Sequence, residues 1–294
     1  MNVIRSIQAK LSYNALGIEN PQFRESRGGM MGTTGFLIGA IGGIHFGVAI
    51  MIVYIWYSMD GLQQQQTSFL YALLHWCIYA TMLCLFHFME FLTTALYQPQ
   101  QLTHDSFITN HSIAYTMAAI AAWIEYILES YFFPQYKHNY FHMIIIGLIL
   151  VIIGQFIRSI AMWTCGKNFS HRIMYHKRDD HELVTTGIYS ILRHPSYFGW
   201  FYWSIGTQIL LCNPICFILY LYASWSFFKE RIPDEEKTLK NFYKDQYVSY
   251  CKRTYIGIPF ISSTITTNSS YSSENKSEGN SNSSSSAHLL NRED

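Results

Sequence analysis

The stretch Arg193-His194-Pro195-Ser196-Tyr197-Phe198-Gly199 sets a guanidinium and an imidazole directly against a long apolar run. Proline suits the first position of a helix. A helix opening at Pro195 would turn its free N–H groups toward the preceding loop, where an anion or ligand could sit. The same residues also suit a membrane helix with no ligand at all: Arg at the headgroups, Pro to begin, Gly199 for close packing. The residue types alone leave both readings open.

Two further constellations invite chemistry. Arg231 stands four residues before Glu235 and five before Glu236. Read blandly, these are a snorkelling Arg and an acidic helix start. Read functionally, a guanidinium at the end of an apolar span is a bidentate clamp for a carboxylate. The loop "NFSHRIMYHKRDDHELVTTGIYSILRHPSYFGW" carries His171, His176, His181 and His194 with Asp179 and Asp180. Helical metal sites use i, i+3 or i, i+4 spacing, whereas intervals of five put these histidines on different faces. No metal is expected. The six cysteines contain no C-x-x-C pair and several fall in apolar runs, so they read as small core residues.

The elements that must position these groups belong to a membrane protein. Half the residues are apolar and only 13% are charged, about half a soluble domain's usual share. Mean hydropathy is positive. A net charge of +1 gives no reason to expect nucleic acid as a partner. Thr33–Tyr57, Phe69–Met89, Ser112–Phe133 and Phe141–Thr164 are each about as long as the ~20 residues a helix needs to cross a bilayer. Tyr197–Cys212 and Pro214–Phe228, parted only by Asn213, read as a tight hairpin. The expectation is an all-α integral membrane protein of about six transmembrane helices. Lys and Arg crowd the N-terminal segment (Arg5, Lys10, Arg24, Arg27) and the loop after the fourth span (Lys167, Arg172, Lys177, Arg178, Arg193). Both termini and that loop are therefore expected in the cytosol.

The first span begins too late and runs too long to be a secretory signal. Three regions emerge: a membrane bundle over 1–135, a region over 136–260 whose charged, His-containing loops are where chemistry is to be sought, and a disordered Ser/Asn-rich tail over 261–294. The chain ends Asn-Arg-Glu-Asp without a C-a-a-X box, so it is not expected to carry a prenyl group itself. Asn110-His-Ser and Asn168-Phe-Ser match the glycosylation pattern but fall on the expected cytosolic side. Pro233, followed by Asp234, Glu235 and Glu236, predicts a fresh helix start. Leu239, Phe242, Tyr243, Tyr247 and Tyr250 then recur at helical intervals, an amphipathic face suited to the membrane surface.

From His181 to Phe260 the sequence resembles the isoprenylcysteine carboxyl methyltransferases. The likeness rests on "HELVTTGIYSILRHPSYFGWFYWSIGTQILLCNP" and "FFKERIPDEEKTLKNFYKDQYVSYCKRTYIGIPFI", with "FHFMEFLTTALYQP", "DSFITNHSIAYT" and "GKNFSH" upstream. Membrane sterol reductases and phospholipid methyltransferases share Arg-His-Pro-x-Tyr-x-Gly, but lack the glutamate pair and the Gly-Ile-Pro-Phe-Ile ending as a set. The resemblance implies a multi-pass enzyme of the endoplasmic reticulum. Its reaction would methylate the C-terminal carboxylate of a farnesyl- or geranylgeranyl-cysteine on small GTPases and other C-a-a-X proteins, with S-adenosyl-L-methionine as donor. Carried across, the cofactor would be held by His181, Glu182, Leu183, Val184, Tyr189, His194, Pro195, Ser196, Tyr197 and Glu235, in a cytosol-facing pocket of loops and the C-terminal amphipathic helix. Arg231 would bind the substrate carboxylate, and Arg231 and Glu235 would be the catalytic pair. Met174 departs from the pattern, since some members have a cofactor-contacting Gln there; some also carry two further N-terminal spans. An ionised carboxylate needs no general base, which accords with the lack of any Ser-His-Asp or Cys-His arrangement.

Overall fold

A computed structural model describes residues 28–58, 64–99, 102–109 and 112–262, with backbone alone for 64–67. The N-terminal cations, Asn110 and all but the first two residues of the Ser/Asn-rich tail lie outside the described residues. Among those described, every regular element is helical: α1 Gly28–Ser58, α2 Gln64–Tyr97, α3 Ile113–Phe132, α4 Pro134–Asn139, α5 His142–Cys165, α6 Pro195–Leu211 and α7 Pro214–Cys251, with short 3-10 turns between them.

Three helical stretches, Gly28–Ser58, Ser68–Tyr97 and His142–Asn168, are long and apolar enough to cross a membrane. Only 17% of the most apolar window of α1 is buried, and Phe36, Ile44 and Tyr54 stand largely exposed along it. An apolar surface of that size facing outward is a lipid-facing surface. The chain is a multi-pass membrane protein. All six cysteines are free.

Helix α5 lies directly on α6, and glycine makes the approach possible. A Cβ on Gly199 would sit 2.6 Å from the carbonyl oxygen of Gly154 and 2.7 Å from the amide of Arg158; one on Gly154 would meet the Gly199 oxygen at 2.7 Å. Backbones this close are the small-residue packing of membrane helices. The contact sets Arg158 beside the first turn of α6. Across the other face of α6, Phe201 and Ile205 pack on Phe228 and Ile232 of α7, while Phe86 of α2 stacks on Trp203 at 4.1 Å.

The α6–α7 hairpin is closed by two side chains that sequence reading did not single out. Glu125 of α3 accepts from the amides of Ile215 and Cys216, both at 2.7 Å, and so caps α7 at its positive end. Lys137 of α4 is fully buried; it donates to the carbonyls of Leu211 and Cys212 at 2.7 and 2.9 Å, and to Glu129 at 2.6 Å. A carboxylate at the start of one helix and an ammonium at the end of the other fix the turn around Asn213.

Pro233 does not start a helix; α7 runs unbroken through it. The lost main-chain hydrogen bond costs about 3 kcal/mol, but residues on both sides are anchored. Phe228 and Ile232 are in the core against α6, and Glu236 is fully buried in an ion pair. Tertiary contacts thus override the local signal. Helical geometry is interrupted further on, at Lys244 (φ 49°, ψ −126°).

Candidate functional site

A cleft partly open to solvent lies between the 166–194 loop, the first turn of α6 and the second half of α7. All ten residues expected to hold a cofactor line it: His181, Glu182, Leu183, Val184, Tyr189, His194, Pro195, Ser196, Tyr197 and Glu235. Met174 also lines it. Arg231 does not; it sits one step behind, against Tyr197.

The loop stays in place because α7 holds its backbone along the helix. Arg231 Nη2 donates to the carbonyl of His171 at 2.6 Å, and Tyr175 Oη donates to Asp234 at 2.9 Å. Further along, Tyr243 Oη donates to the carbonyl of His181 (3.1 Å) and Tyr250 Oη to that of Tyr189 (2.7 Å). Gln98, just past the end of α2, donates to the Phe169 carbonyl. The aromatic face of α7 therefore serves the cleft, not the membrane surface expected from its periodicity. Leu239, Tyr243, Tyr247 and Tyr250 pack with Leu183 of the loop, since burying that stripe against protein also satisfies loop carbonyls. Burial raises the pKa of the Tyr189 and Tyr247 phenols well above the ordinary range, so both stay neutral.

Arg193 proves to be a strut. Its Nε donates to Glu236 at 2.5 Å and its Nη1 to the Thr254 carbonyl at 2.6 Å, while its amide bonds the Tyr255 carbonyl. The guanidinium thereby ties the entry to α6, helix α7 and the C-terminal segment together. His194 shares Glu236 at 3.3 Å through Nε2 and stacks parallel on Tyr197 at 5.5 Å. The two glutamates consequently differ: Glu236 is fully buried and paired, whereas Glu235 is 26% exposed in its side chain, with His194 Nδ1 at 3.9 Å.

Arg231 is oriented by its neighbours. Nε donates to Tyr197 Oη at 2.8 Å, Nη2 is used on His171, and the guanidinium lies over the Tyr197 and Phe227 rings at 5.4 and 5.5 Å. Its plane is fixed, and among the described residues Nη1 makes no hydrogen bond. Glu235 Oε2 and His181 Nδ1 are buried at the cleft without a hydrogen bond of normal geometry. Burial, followed by the nearby Arg178, lowers the His181 pKa. Unsatisfied polar atoms of both kinds in an aromatic-walled cleft fit a polar, charged organic molecule. Among the described residues, no group of three or more His, Cys, Asp or Glu is arranged for a metal.

Sequence reasoning missed a buried ion pair beneath the site. Arg158 of α5 meets Glu90 of α2 with two bonds, Nε to Oε1 at 2.5 Å and Nη2 to Oε2 at 2.8 Å. Its third nitrogen donates to Ser196 Oγ at 3.0 Å and to the Ser196 carbonyl at 3.3 Å. His171 Nε2 lies 3.9 Å from Glu90. The available signal was one acid and one base, each in an otherwise apolar helix; charges of that kind within spans find each other or mark a site.

With the geometry in hand, comparison with known proteins is informative. The model of the "Isoprenylcysteine carboxyl methyltransferase (ICMT) family" matches residues 127–241. The protein-S-isoprenylcysteine O-methyltransferase of Xenopus laevis is 49% identical over 183 residues, covering 62% of this chain and 63% of the relative. The protein of that name from Dictyostelium discoideum is 47% identical over 184 residues, covering 63% and 77%. The match thus spans slightly less than two thirds of the Xenopus protein. A solved structure, described as the eukaryotic intramembrane Ras methyltransferase ICMT (isoprenylcysteine carboxyl methyltransferase), superposes with a TM-score of 0.65 at 37% identity, covering 88% of this chain and 93% of that one.

Proposed function

Since this chain belongs to the isoprenylcysteine carboxyl methyltransferase family, we propose that it methylates the C-terminal α-carboxylate of farnesylated or geranylgeranylated cysteine, with S-adenosyl-L-methionine as donor. Its acceptors would be processed C-a-a-X proteins, small GTPases among them. The observation that carries this reading is the convergence of ten separately named residues on one cleft, with Arg231 immediately behind it.

Bound S-adenosylmethionine supplies an electrophilic methyl group on a sulfonium. The rest is the work of the chain. Glu235 and His181 offer the cleft's unsatisfied polar atoms to the donor's polar groups. Tyr197 and Tyr189 present aromatic surface to a cation, an attraction worth ~0.5–2 kcal/mol. Arg231, locked by Tyr197 and His171, keeps Nη1 for the acceptor carboxylate and so orients it without wrapping it. Aromatic walls keep water from the carboxylate, which favours a reaction in which cation and anion become neutral. Arg231 and Glu235 are the catalytic residues in this reading.

The bilayer presents the acceptor. A prenyl chain partitions into lipid at ~0.8 kcal/mol per buried CH₂, and the cleft lies beside the apolar helices. Helices α1, α2, α3, α5, α6 and the first part of α7 make six spans. The cations of the 166–194 loop support a cytosolic cleft and cytosolic termini, and family membership supports an endoplasmic reticulum membrane. On this reading the chain divides into a supporting part over 1–135, a catalytic region over 136–260 and a polar tail over 261–294.

The test is transfer of label from methyl-labelled S-adenosylmethionine to N-acetyl-S-farnesylcysteine, in membranes with and without this chain. Base-labile incorporation supports the carboxyl ester. Base-stable incorporation into phospholipid would replace it with a phospholipid methyltransferase. Binding of a nicotinamide cofactor with no methyl transfer would favour a reductase.

A further inference from the structure

Granted the proposed reaction, two carboxylates share the cleft: the acceptor's and the one on the donor's amino-acid end. Each needs a cationic partner, and few are free. Of the two arginines that line the cleft, Arg172 and Arg193, the second is held by Glu236 and the Thr254 carbonyl and is 7% exposed. Arg231 stands behind Tyr197, where its free nitrogen serves the acceptor. The other loop cations are engaged elsewhere: Lys177 lies over the Tyr243 ring at 4.8 Å, Lys167 is 3.7 Å from Asp180, and Arg178 bonds the Lys167 carbonyl at 2.8 Å.

Arg172 is different. Its main chain is folded into a tight local turn, its amide donating to Ser170 Oγ at 3.1 Å while that hydroxyl donates to its carbonyl at 2.7 Å. Among the described residues the guanidinium makes no hydrogen bond or ion pair, yet the residue lines the cleft. Two positions on, Met174 also lines the cleft, and a thioether can donate nothing to a polar ligand. We infer that Arg172 binds the α-carboxylate of the methyl donor, supplying a charged contact on a loop segment whose residue 174 carries no polar side chain. The donor's ammonium then falls to the cleft's carboxylates, Glu182 and Glu235, and the two carboxylates of the ternary complex divide between Arg172 and Arg231.

The experiment measures binding of two probes to the full chain in lipid nanodiscs: S-adenosylhomocysteine, and its decarboxylated analogue S-adenosyl-3-thiopropylamine. Arg172→Ala should weaken the first about 5- to 10-fold, the range for an exposed charge-assisted contact, and leave the second unchanged. Arg172→Lys should keep part of the difference, having the charge without the fork. Equal weakening of both probes would make Arg172 a cleft-shaping residue and overturn the inference, as would no weakening of either. A loss confined to the KM for N-acetyl-S-farnesylcysteine would overturn it too, by moving Arg172 to the acceptor. If the unmodified chain binds neither probe, the donor assignment itself fails, and that outcome is distinct from all the others.

Discussion

Glu90→Gln is the perturbation that best separates holding the fold from holding the site. Glu90 is fully buried and Arg158 is 7% exposed, so the change leaves a guanidinium without its counter-charge in an apolar setting. Breaking one side of a buried pair costs about 3–5 kcal/mol. The thermal midpoint of the detergent-solubilised protein should fall steeply, and affinity for S-adenosylhomocysteine should fall with it, because Arg158 also carries Ser196. The double replacement Glu90→Leu with Arg158→Leu tests the second half of the argument. Apolar residues in place of a buried pair are often neutral or better for stability, so the midpoint should recover. Ser196 would still lack both bonds from Arg158, at about 1.5–3 kcal/mol for a charged donor, and affinity should stay reduced. Recovery of both together would show that Ser196 needs no positioning. A single variant as stable as the parent would show that the pair is not the constraint its geometry describes.

Four other outcomes are expected. Arg231→Ala should raise the KM for N-acetyl-S-farnesylcysteine at least 10-fold while donor affinity changes little, which initial-rate kinetics and a binding titration would separate. Gly199→Ala adds a methyl group 2.6 Å from the Gly154 oxygen; it should lower stability by about 1–3 kcal/mol and weaken donor binding by shifting the start of α6, as a thermal scan with and without ligand would show. Lys137→Met keeps the aliphatic stem but strands Glu129 and two carbonyls, so a loss of about 3–5 kcal/mol in unfolding free energy is expected, with the donor site spared in the fraction that folds. For pH, His181 has its folded-state pKa lowered from 6.5 by burial and by Arg178. The unfolded chain therefore takes the proton first on acidification. The stability from this group is present above the ordinary histidine pKa and is lost as pH falls toward the folded value, so His181→Gln should flatten the fall of the thermal midpoint below pH 6.5.

What the sequence made legible, and what it hid, follows the range of the interactions involved. The apolar run read as Phe141–Thr164 is helix His142–Cys165, and the hairpin parted by Asn213 is α6 and α7, because burial of a continuous apolar surface is a local property. The Glu90–Arg158 pair joins residues 68 apart, and the Lys137 clamp reaches 74 positions to Leu211; neither has a spacing to read. Pro233 misled because its local preference is worth about 3 kcal/mol, less than the packing of Phe228 and Ile232 and the pairing of Glu236 together hold in place. The aromatic stripe of α7 was correctly periodic but wrongly aimed, since periodicity gives a face and not the partner it meets. Arg193 is the instructive case. Its position before an apolar run suits a headgroup anchor or a ligand site, yet Glu236 and the Thr254 carbonyl occupy its guanidinium. That strut lets the neighbouring His194 and Glu235 face the cleft, so the most conspicuous charge in the sequence acts by positioning others. Arg172, by contrast, is exposed at the cleft, and among the described residues its guanidinium makes no hydrogen bond or ion pair.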